Sequence, residues 1–201
     1  MQKQYDIYIV GLGGQGVLTI GDLLAQAGLA KDMAVNFYPR KGMSQRGGFV
    51  QGQLRFGREN VGASLPRKGA DLVVSMERSE ALKGVGYCKP GCDFLLYDDV
   101  WITTDVIAKK EKYPELKDVQ AQITATGAKL YCLSSDGLPQ VNGVPVRANM
   151  FILGALLSNT SLKALFSLED ILAALQTFLP KNVESNLAAV QAGYAAALQP
   201  V

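Results

Sequence analysis

The feature that most constrains the fold is a short apolar strand that runs directly into a glycine-rich turn and then into a helix. The segment Tyr5–Val10 is apolar, and the motif Gly11-Leu-Gly13-Gly14-Gln15-Gly16 follows it at once. Over Gln15–Ala30 the apolar residues recur near helical spacing without a proline, and Met33–Tyr38 indicates a second strand. Strand, turn, helix and strand in this order predict a right-handed crossover and a parallel sheet.

The rest of the chain extends this pattern. Further short apolar segments indicate strands at Phe49–Phe56, Asp71–Met76, Cys92–Tyr97 and Lys129–Leu133. A short helix is expected at Glu77–Lys83, whereas Trp101–Ala108 favours neither strand nor helix. The last third indicates helices at Ala148–Leu157, after a capping box at Ser167–Asp170, and at Val183–Leu198. We therefore predict one α/β domain over residues 1–201: Rossmann-like, three-layered, with a mainly parallel sheet and a helical C-terminal section.

Composition narrows the function. The chain has 201 residues and no histidine, which removes the usual general base and the imidazole metal ligands. Charged residues make up only 19%, below the usual quarter, which indicates either a surface buried against other chains or a large helix-covered sheet. A net charge of +2 does not favour nucleic acid, and no apolar run reaches the roughly 18 residues of a membrane span. With no signal peptide, we expect a cytoplasmic protein with reduced thiols.

The glycine turn supports three interpretations. Its exposed N–H groups and the start of the following helix can bind a phosphate or another anion. Its spacing also fits the dinucleotide fingerprint, but the second strand ends at Tyr38-Pro39-Arg40-Lys41, without the carboxylate that holds an NAD ribose. Arg40 and Lys41 would instead suit the 2′-phosphate of NADP, so an NADP-dependent oxidoreductase is an alternative. The third interpretation is a purely structural tight turn.

A second glycine loop, Lys41–Gly48, contains Ser44, Gln45 and Arg46. An arginine between flexible neighbours can hold a carboxylate or phosphate with two hydrogen bonds, although a solvated loop would have the same composition. We expect this loop to lie beside the Gly11–Gly16 turn at the C-terminal edge of the sheet, where ligands of open α/β folds collect.

Three further features have weaker functional interpretations. Cys88, Cys92 and Cys132 match no metal or cluster spacing and are expected to pack as small apolar side chains. Asn149 begins an apolar helix, where it either caps the helix or lines a cleft, and Gly154 in that helix permits close helix packing. The pair Asp98-Asp99 follows a strand, and a solvated turn is favoured over a ligand site.

In their order and spacing, these motifs resemble the gamma-type subunit of 2-oxoacid:ferredoxin oxidoreductases. The resemblance rests on GLGGQGV after the first strand, on GMSQRGGFVQGQLRFG some thirty residues later, and on Asn149–Gly154 and Asn186–Tyr194 in the last third. The form GMSQRGG is most similar to the beta subunit of indolepyruvate:ferredoxin oxidoreductase. A third possibility drawn from the residues alone is a nucleotide- or anion-sensing module.

The resemblance implies a non-catalytic subunit of a hetero-oligomer that converts a 2-oxoacid and coenzyme A to acyl-CoA and CO₂ and reduces ferredoxin. It implies that thiamine diphosphate, Mg²⁺ and [4Fe–4S] clusters are bound by partner subunits, and that this chain contacts coenzyme A without holding a cofactor tightly. No catalytic residue and no metal site are expected here. The expected cofactor-contacting residues are Gly11, Gly13, Gly14, Gln15, Gly16, Ser44, Gln45, Arg46, Gly47, Gly48 and Asn149.

Overall fold

The computed structural model describes residues 3–42, 47–62, 64–102, 112–141 and 143–201. The larger strands are β1 (Tyr5–Leu12), β2 (Val35–Lys41), β3 (Phe49–Phe56), β4 (Ala70–Ser75), β5 (Cys88–Asp98) and β6 (Lys129–Ser134). The helices are α1 (Val17–Ala30), α2 (Ala81–Val85), α3 (Leu116–Thr124), α4 (Ala148–Asn159), α5 (Leu168–Phe178) and α6 (Val183–Ala195). Two short strands, β7 (Gln140–Val141) and β8 (Val144–Pro145), and 3-10 turns at Ser135–Gly137 and Ser161–Ala164 complete the described elements.

The main sheet has six strands in the order β2-β3-β1-β4-β5-β6. Strands β1, β4, β5 and β6 pair in parallel, which confirms the predicted mainly parallel sheet. Strand β3 runs antiparallel to both of its neighbours, β1 and β2. The predicted crossover through α1 therefore joins β1 and β2, which run parallel to each other but are not adjacent. Strand β3 lies between them and is antiparallel to both.

Two cores lie on opposite faces of the sheet, because successive side chains of a strand point in opposite directions. Ile7 and Ile9 of β1 belong to the core covered by α1, α4, α5 and α6. Tyr8 and Val10 belong to the smaller core covered by α2 and α3. This arrangement is the predicted three-layer fold.

Several element boundaries differ from the sequence prediction. Helix α1 begins at Val17 instead of Gln15, because Gly14 and Gly16 have positive φ values of 106° and 80°. Helix α2 begins four residues later than expected, and β5 begins at Cys88. Helix α3 lies in a stretch where the sequence indicated no element. From position 103 onward, the ambiguous segment 101–108 lies outside the described residues.

The C-terminal helices confirm the sequence prediction in detail. Gly154 of α4 and Gly193 of α6 lie where the two helices cross, and a Cβ at Gly154 would lie 2.0 Å from the Val190 carbonyl oxygen. The backbones are therefore in direct contact. At the start of α5, the amide of Asp170 donates to Ser167 Oγ at 3.2 Å and the amide of Ser167 donates to Asp170 Oδ2 at 2.9 Å. This is the predicted capping box, with Asp as the acidic partner.

The three cysteines carry no disulfide. Cys88 and Cys92 are buried in the smaller core, and Cys132 is half-buried beside it. The expectation that they pack as apolar side chains is therefore confirmed. Within the described residues, no helix is long and apolar enough to cross a bilayer.

Candidate functional site: two clefts around the glycine turn

The glycine turn lies at the C-terminal edge of the sheet, where the buried strand β1 ends and α1 begins. Gly16 precedes α1 in the left-handed conformation, with φ 80° and ψ 22°. A Cβ at Gly16 would lie 2.3 Å from Nδ2 of Asn149 on α4. Glycine is therefore required here both by the backbone conformation and by the close approach of α4.

The side chain of Gln15 ties this turn to two neighbouring strand ends. Its Oε1 accepts a hydrogen bond of 2.8 Å from the Leu12 amide. Its Nε2 donates to the Met76 carbonyl oxygen at 2.7 Å and to Oδ2 of Asp99 at 2.9 Å. Met76 follows β4 and Asp99 follows β5. Both Nε2 hydrogens and the Oε1 atom of Gln15 are therefore engaged, and this side chain fixes the shape of the turn by hydrogen-bonding it to the ends of the neighbouring strands.

The second glycine loop lies beside the first, as the sequence predicted. The amide of Gly13 donates to the Gly48 carbonyl oxygen at 2.8 Å, and the amide of Gly47 donates to the Gly13 carbonyl oxygen at 3.3 Å. These reciprocal bonds hold Gly47 and Gly48 against the turn. Ser44, Gln45 and Arg46 lie outside the described residues, so their predicted ligand contacts stay predictions.

Two clefts open on either side of the turn. The first cleft, about 550 Å³, lies between the turn, the start of α1 and the second loop, and its wall includes Gly13, Gly14 and Lys41. We call the other cavity, about 510 Å³, the Trp101 cleft. Its lining residues are Gly14, Gln15, Gly16, Thr19, Met76, Tyr97, Asp99, Trp101, Arg147, Ala148 and Asn149. Both volumes fall in the range of small-molecule sites.

The structure resolves the two interpretations of Asn149. The residue that precedes the first turn of α4 is Arg147, so the capping interpretation of Asn149 is wrong. Asn149 lines the Trp101 cleft, as the other interpretation expected. Arg147 lines this cleft too, and the sequence analysis did not identify it. Little in the sequence indicated this role of Arg147, because a lone arginine before an apolar helix is usually solvated.

The expectation of a solvated turn at Asp98-Asp99 is also wrong. Asp98 accepts two hydrogen bonds from the Arg78 guanidinium, at 2.6 and 3.0 Å. Asp99 Oδ2 accepts from Gln15 and, at 2.7 Å, from the indole nitrogen of Trp101. Asp99 thus lines the Trp101 cleft and Asp98 lies directly behind it, because β5 ends next to the end of β4, which Met76 follows.

A buried carboxylate that the sequence analysis also missed supports the same edge. Glu77 is fully buried. Its side chain accepts hydrogen bonds from Ser79 Oγ at 2.7 Å, from the Glu80 amide at 2.8 Å and from the Tyr113 hydroxyl. Burial, together with the hydrogen bond to Glu77, raises the pKa of Tyr113, which keeps the phenol protonated as a donor. Glu77 does not line either cleft, and its role is to hold the segment after β5 against the end of β4.

The topology disfavours a dinucleotide site. In the nucleotide-binding fold the second strand lies next to the first and presents its last residues to the ribose. Here β3 lies between β1 and β2, so Arg40 and Lys41 are two strands from β1, about 9–10 Å at the usual strand spacing. Arg40 lines neither of the two clefts, so the NADP interpretation keeps only Lys41, which lines the first cleft with the glycine turn.

The site therefore supplies binding groups: backbone amides, the carboxamide of Asn149, and the cations Lys41 and Arg147. Among the described residues, no three His, Cys, Asp or Glu side chains are grouped so that they could hold a metal ion.

Comparison with known proteins agrees with this fold. Residues 6–196 match the family described as pyruvate ferredoxin/flavodoxin oxidoreductase. The chain is 32% identical over 197 residues to indolepyruvate oxidoreductase subunit IorB of Thermococcus kodakarensis, a match that covers 97% of this chain and 96% of that protein.

Two solved structures share the fold. Pyruvate oxidoreductase subunit PORC of Thermotoga maritima has a TM-score of 0.66 at 21% identity and covers 96% of each chain. The keto/oxoacid ferredoxin oxidoreductase gamma subunit of Geobacter sulfurreducens has a TM-score of 0.62 at 21% identity and covers 94% of this chain and 96% of that one. The family predicted from the sequence is confirmed: the chain belongs to the pyruvate ferredoxin/flavodoxin oxidoreductase family and is a subunit of a 2-oxoacid:ferredoxin oxidoreductase.

Proposed function

We propose that this chain is the non-catalytic, gamma-type subunit of an indolepyruvate- or arylpyruvate-converting oxidoreductase complex in the cytoplasm. The complex would convert the 2-oxoacid and coenzyme A to acyl-CoA and CO₂ and reduce ferredoxin. The observation that carries the proposal is the end-to-end match to an indolepyruvate oxidoreductase subunit, which leaves almost no part of either chain unmatched.

The residues of this chain do not fit the redox and carbanion cofactors of such a complex. A [4Fe–4S] cluster takes four cysteine thiolates, but the chain has three cysteines, two of them buried in its smaller core. Mg²⁺ at a diphosphate takes carboxylate or carbonyl oxygens, and the described residues contain no group of three or more His, Cys, Asp or Glu side chains that could hold a metal ion. We therefore assign thiamine diphosphate, Mg²⁺ and the clusters to a partner subunit, the catalytic subunit of the complex.

The first cleft fits a different role, the binding of a phosphate of coenzyme A or of a carboxylate from the partner. Its wall includes Gly13, Gly14 and Gly16 of the glycine turn at the start of α1, and backbone N–H groups at the start of a helix are suited to an anion. Lys41 lines the same cleft and adds a positive charge. Arg46, which follows in the same loop, would add a guanidinium that can bind an anion with two hydrogen bonds.

The test is reconstitution with the partner subunit. We expect the purified chain alone to convert no 2-oxoacid when thiamine diphosphate, coenzyme A and a dye acceptor are added. The reconstituted complex should oxidise indolepyruvate with a higher kcat/KM than pyruvate. Turnover by the lone chain would refute the non-catalytic role, and a preference for pyruvate would refute the substrate assignment. Saturable binding of NADPH to the lone chain would favour the alternative oxidoreductase.

The contact with coenzyme A is tested with Arg46→Ala. If Arg46 is a buried ion-pair partner, its loss should weaken binding by about 2–5 kcal/mol and leave folding intact. A raised KM for coenzyme A in an assembled complex would make Arg46 a coenzyme ligand, and loss of assembly would make it an interface residue. A complex that assembles and turns over like wild type would show that the loop is merely solvated. Lys129→Ala, at the opposite edge of the sheet, is the matched control because it removes an exposed cation far from the clefts.

A further inference from the structure

One face of the main sheet is covered by helices only in part. On the side of the smaller core, helix α2 packs mainly against β1, β4 and β5, and β3 and β2 continue this face to the open edge of the sheet. In the strand register, Tyr38 and Arg40 of β2 lie opposite Gln53 and Gln51 of β3. Residues directly opposite each other point to the same side, so all four belong to this face. Tyr38 and Arg40 are exposed on it.

Two exposed arginines converge on this part of the face. Arg67, in the connection between β3 and β4, lies over the ring of Tyr87, 4.7 Å from its centroid. The Tyr87 ring stacks on Tyr8 with the centroids 4.0 Å apart. Burial raises the pKa of Tyr8, and the charges of Arg67 and Arg40 oppose this rise, so both guanidinium groups lie near its hydroxyl. Neither arginine forms an ion pair with any residue that the structure describes.

A buried amide group at the same place lacks an acceptor. Gln51 is 3% exposed, and its Oε1 accepts a hydrogen bond of 2.8 Å from the Tyr8 hydroxyl. Its Nε2 is buried and meets no acceptor among the described residues. The carboxylate whose charge acts on Tyr8, that of Glu80, is already bound to Lys83 at 2.6 Å. A buried donor left without a partner is unfavourable, so an acceptor supplied from outside the chain would be stabilised here.

We propose that this part of the face docks an acidic segment of another protein. We call it the two-arginine surface, formed by Tyr38, Arg40, Gln51, Arg67 and Tyr87. Carboxylates of the segment bind Arg40 and Arg67, and one of them supplies the acceptor that Gln51 Nε2 lacks. Neither the two arginines nor Gln51 lines either cleft beside the glycine turn. The inference therefore goes beyond the proposed function and does not depend on it.

The aromatic rings of this surface favour a protein over a nucleic acid. Single-stranded nucleic acids bind by stacking their bases on open aromatic faces. Because Tyr8 occupies one face of the Tyr87 ring, Arg67 lies on the other. Lys83 likewise lies 4.4 Å from the centroid of the neighbouring Phe49 ring. The rings therefore hold the cations in place and offer few faces to bases. The small net charge of +2 agrees with this choice.

The experiment is a titration of the purified full chain with a fluorescein-labelled peptide of about eight glutamates at low salt, followed by fluorescence anisotropy. A glutamine peptide of the same length lacks the charge, and a thymidine oligonucleotide of the same charge represents nucleic acid. We expect the glutamate peptide to bind at least about tenfold more tightly than the glutamine peptide, and its affinity to fall as salt is added. An oligonucleotide that binds more tightly than the glutamate peptide would overturn the choice of a protein partner.

Variants test each contact of the two-arginine surface. Arg40→Ala and Arg67→Ala should each weaken binding of the glutamate peptide by about fivefold or more. Arg67→Lys should retain part of the affinity, since lysine keeps the charge but loses the planar fork. The side-chain amide signal of Gln51 in an NMR spectrum can be assigned by its absence in Gln51→Leu. In the wild type this signal should shift when the glutamate peptide is added, which a merely diffuse attraction between charges would not cause.

Two exposed cations elsewhere on the chain provide matched controls. Arg147 lines the Trp101 cleft, and Lys129 lies on β6 at the opposite edge of the sheet from β2. Arg147→Ala and Lys129→Ala should leave peptide binding unchanged, with circular dichroism confirming the fold of every variant. The proposal is overturned if the glutamate peptide binds no more tightly than the glutamine peptide, or if the controls weaken binding as much as Arg40→Ala and Arg67→Ala. Either result leaves the reconstitution test of the subunit role unaffected.

Discussion

Replacing Gln15 with glutamate exchanges its Nε2 amide group, which hydrogen-bonds the glycine turn to the neighbouring strand ends, for an oxygen. In the wild type, Nε2 donates to the Met76 carbonyl oxygen at 2.7 Å and to Asp99 at 2.9 Å. In Gln15→Glu an oxygen takes the place of this nitrogen, so both hydrogen bonds become contacts between oxygens. The bond from the Leu12 amide to Oε1 is kept. The substitution therefore removes two interactions and adds a negative charge without a change of size.

The magnitude follows from these contacts. Loss of the bond to the carbonyl costs about 1 kcal/mol, and loss of the bond to the Asp99 carboxylate costs about 1.5–3 kcal/mol. Two carboxylates 2.9 Å apart would repel by about 6 kcal/mol at an effective dielectric constant of 20. Since both side chains are only half-buried, solvent reduces this repulsion, and a proton taken up by the pair reduces it further. We expect a total loss of about 3–5 kcal/mol in the free energy of unfolding at pH 8.

The sign of the pH dependence is the sharpest part of this prediction. The repulsion raises the pKa of the introduced carboxyl in the folded state above its unfolded value of about 4.3. Below that value the group is protonated in both states and the repulsion vanishes. Above it, the unfolded chain releases a proton that the folded chain retains, so stability falls by up to about 1.4 kcal/mol per pH unit until the folded pKa is passed.

Urea unfolding of Gln15→Glu and wild type at pH 4.5, 6 and 8 measures this difference. Gln191→Glu is the matched control, because Gln191 is exposed on α6 and its replacement adds the same charge. The difference between Gln15→Glu and wild type should grow with pH, and the control should show no such trend. A pH-independent difference, or one as small as that of the control, would refute the assigned role of Gln15.

Three further predictions concern other parts of the chain. Gly154→Ala places a Cβ 2.0 Å from the Val190 carbonyl oxygen and should lower the free energy of unfolding in urea by at least about 3 kcal/mol. Gly137→Ala is the control, because a Cβ there meets no atom within 4 Å, and it should lower the free energy of unfolding by less than about 1 kcal/mol. Burial raises the pKa of Asp22, so Asp22→Asn should leave stability unchanged at pH 3 and increase it by less than about 1 kcal/mol at pH 7; a loss of stability at pH 7 would contradict this. Cys132 is half-buried and its pKa is raised by burial, so a disulfide reagent should modify it slowly in the native protein, and the two buried cysteines should react only on unfolding.

Features with a local cause were predictable from the sequence. The turn after β1 needs glycines because two of its positions have positive φ, and glycine favours that region whatever the surrounding fold. The capping box at Ser167 is likewise closed by a residue three positions away. The contact at Gly154 was also foreseen, because a glycine in a helix that is apolar on all sides has few other uses.

Features that depend on strand order were not predictable. The insertion of β3 between β1 and β2 has no local signal, since its side chains would suit an edge position equally well. Asp99 was misinterpreted for the same reason: its role depends on β5 lying next to β4, which brings it within 2.9 Å of Gln15, 84 positions away in the chain. Arg147 became recognisable as a site residue only when α4 was seen to cross the glycine turn.

The charges around the turn show why this site suits binding better than catalysis. The acidic groups nearest to it are engaged: Asp98 with Arg78, and Asp99 with Gln15 and Trp101. The cations that line the two clefts, Lys41 and Arg147, form no ion pair with any described residue. A general base needs a free acceptor within reach of the substrate, and the clefts present mainly donors and positive charge. The complement to this surface is an anion, which supports the proposed role of this chain as a binding subunit.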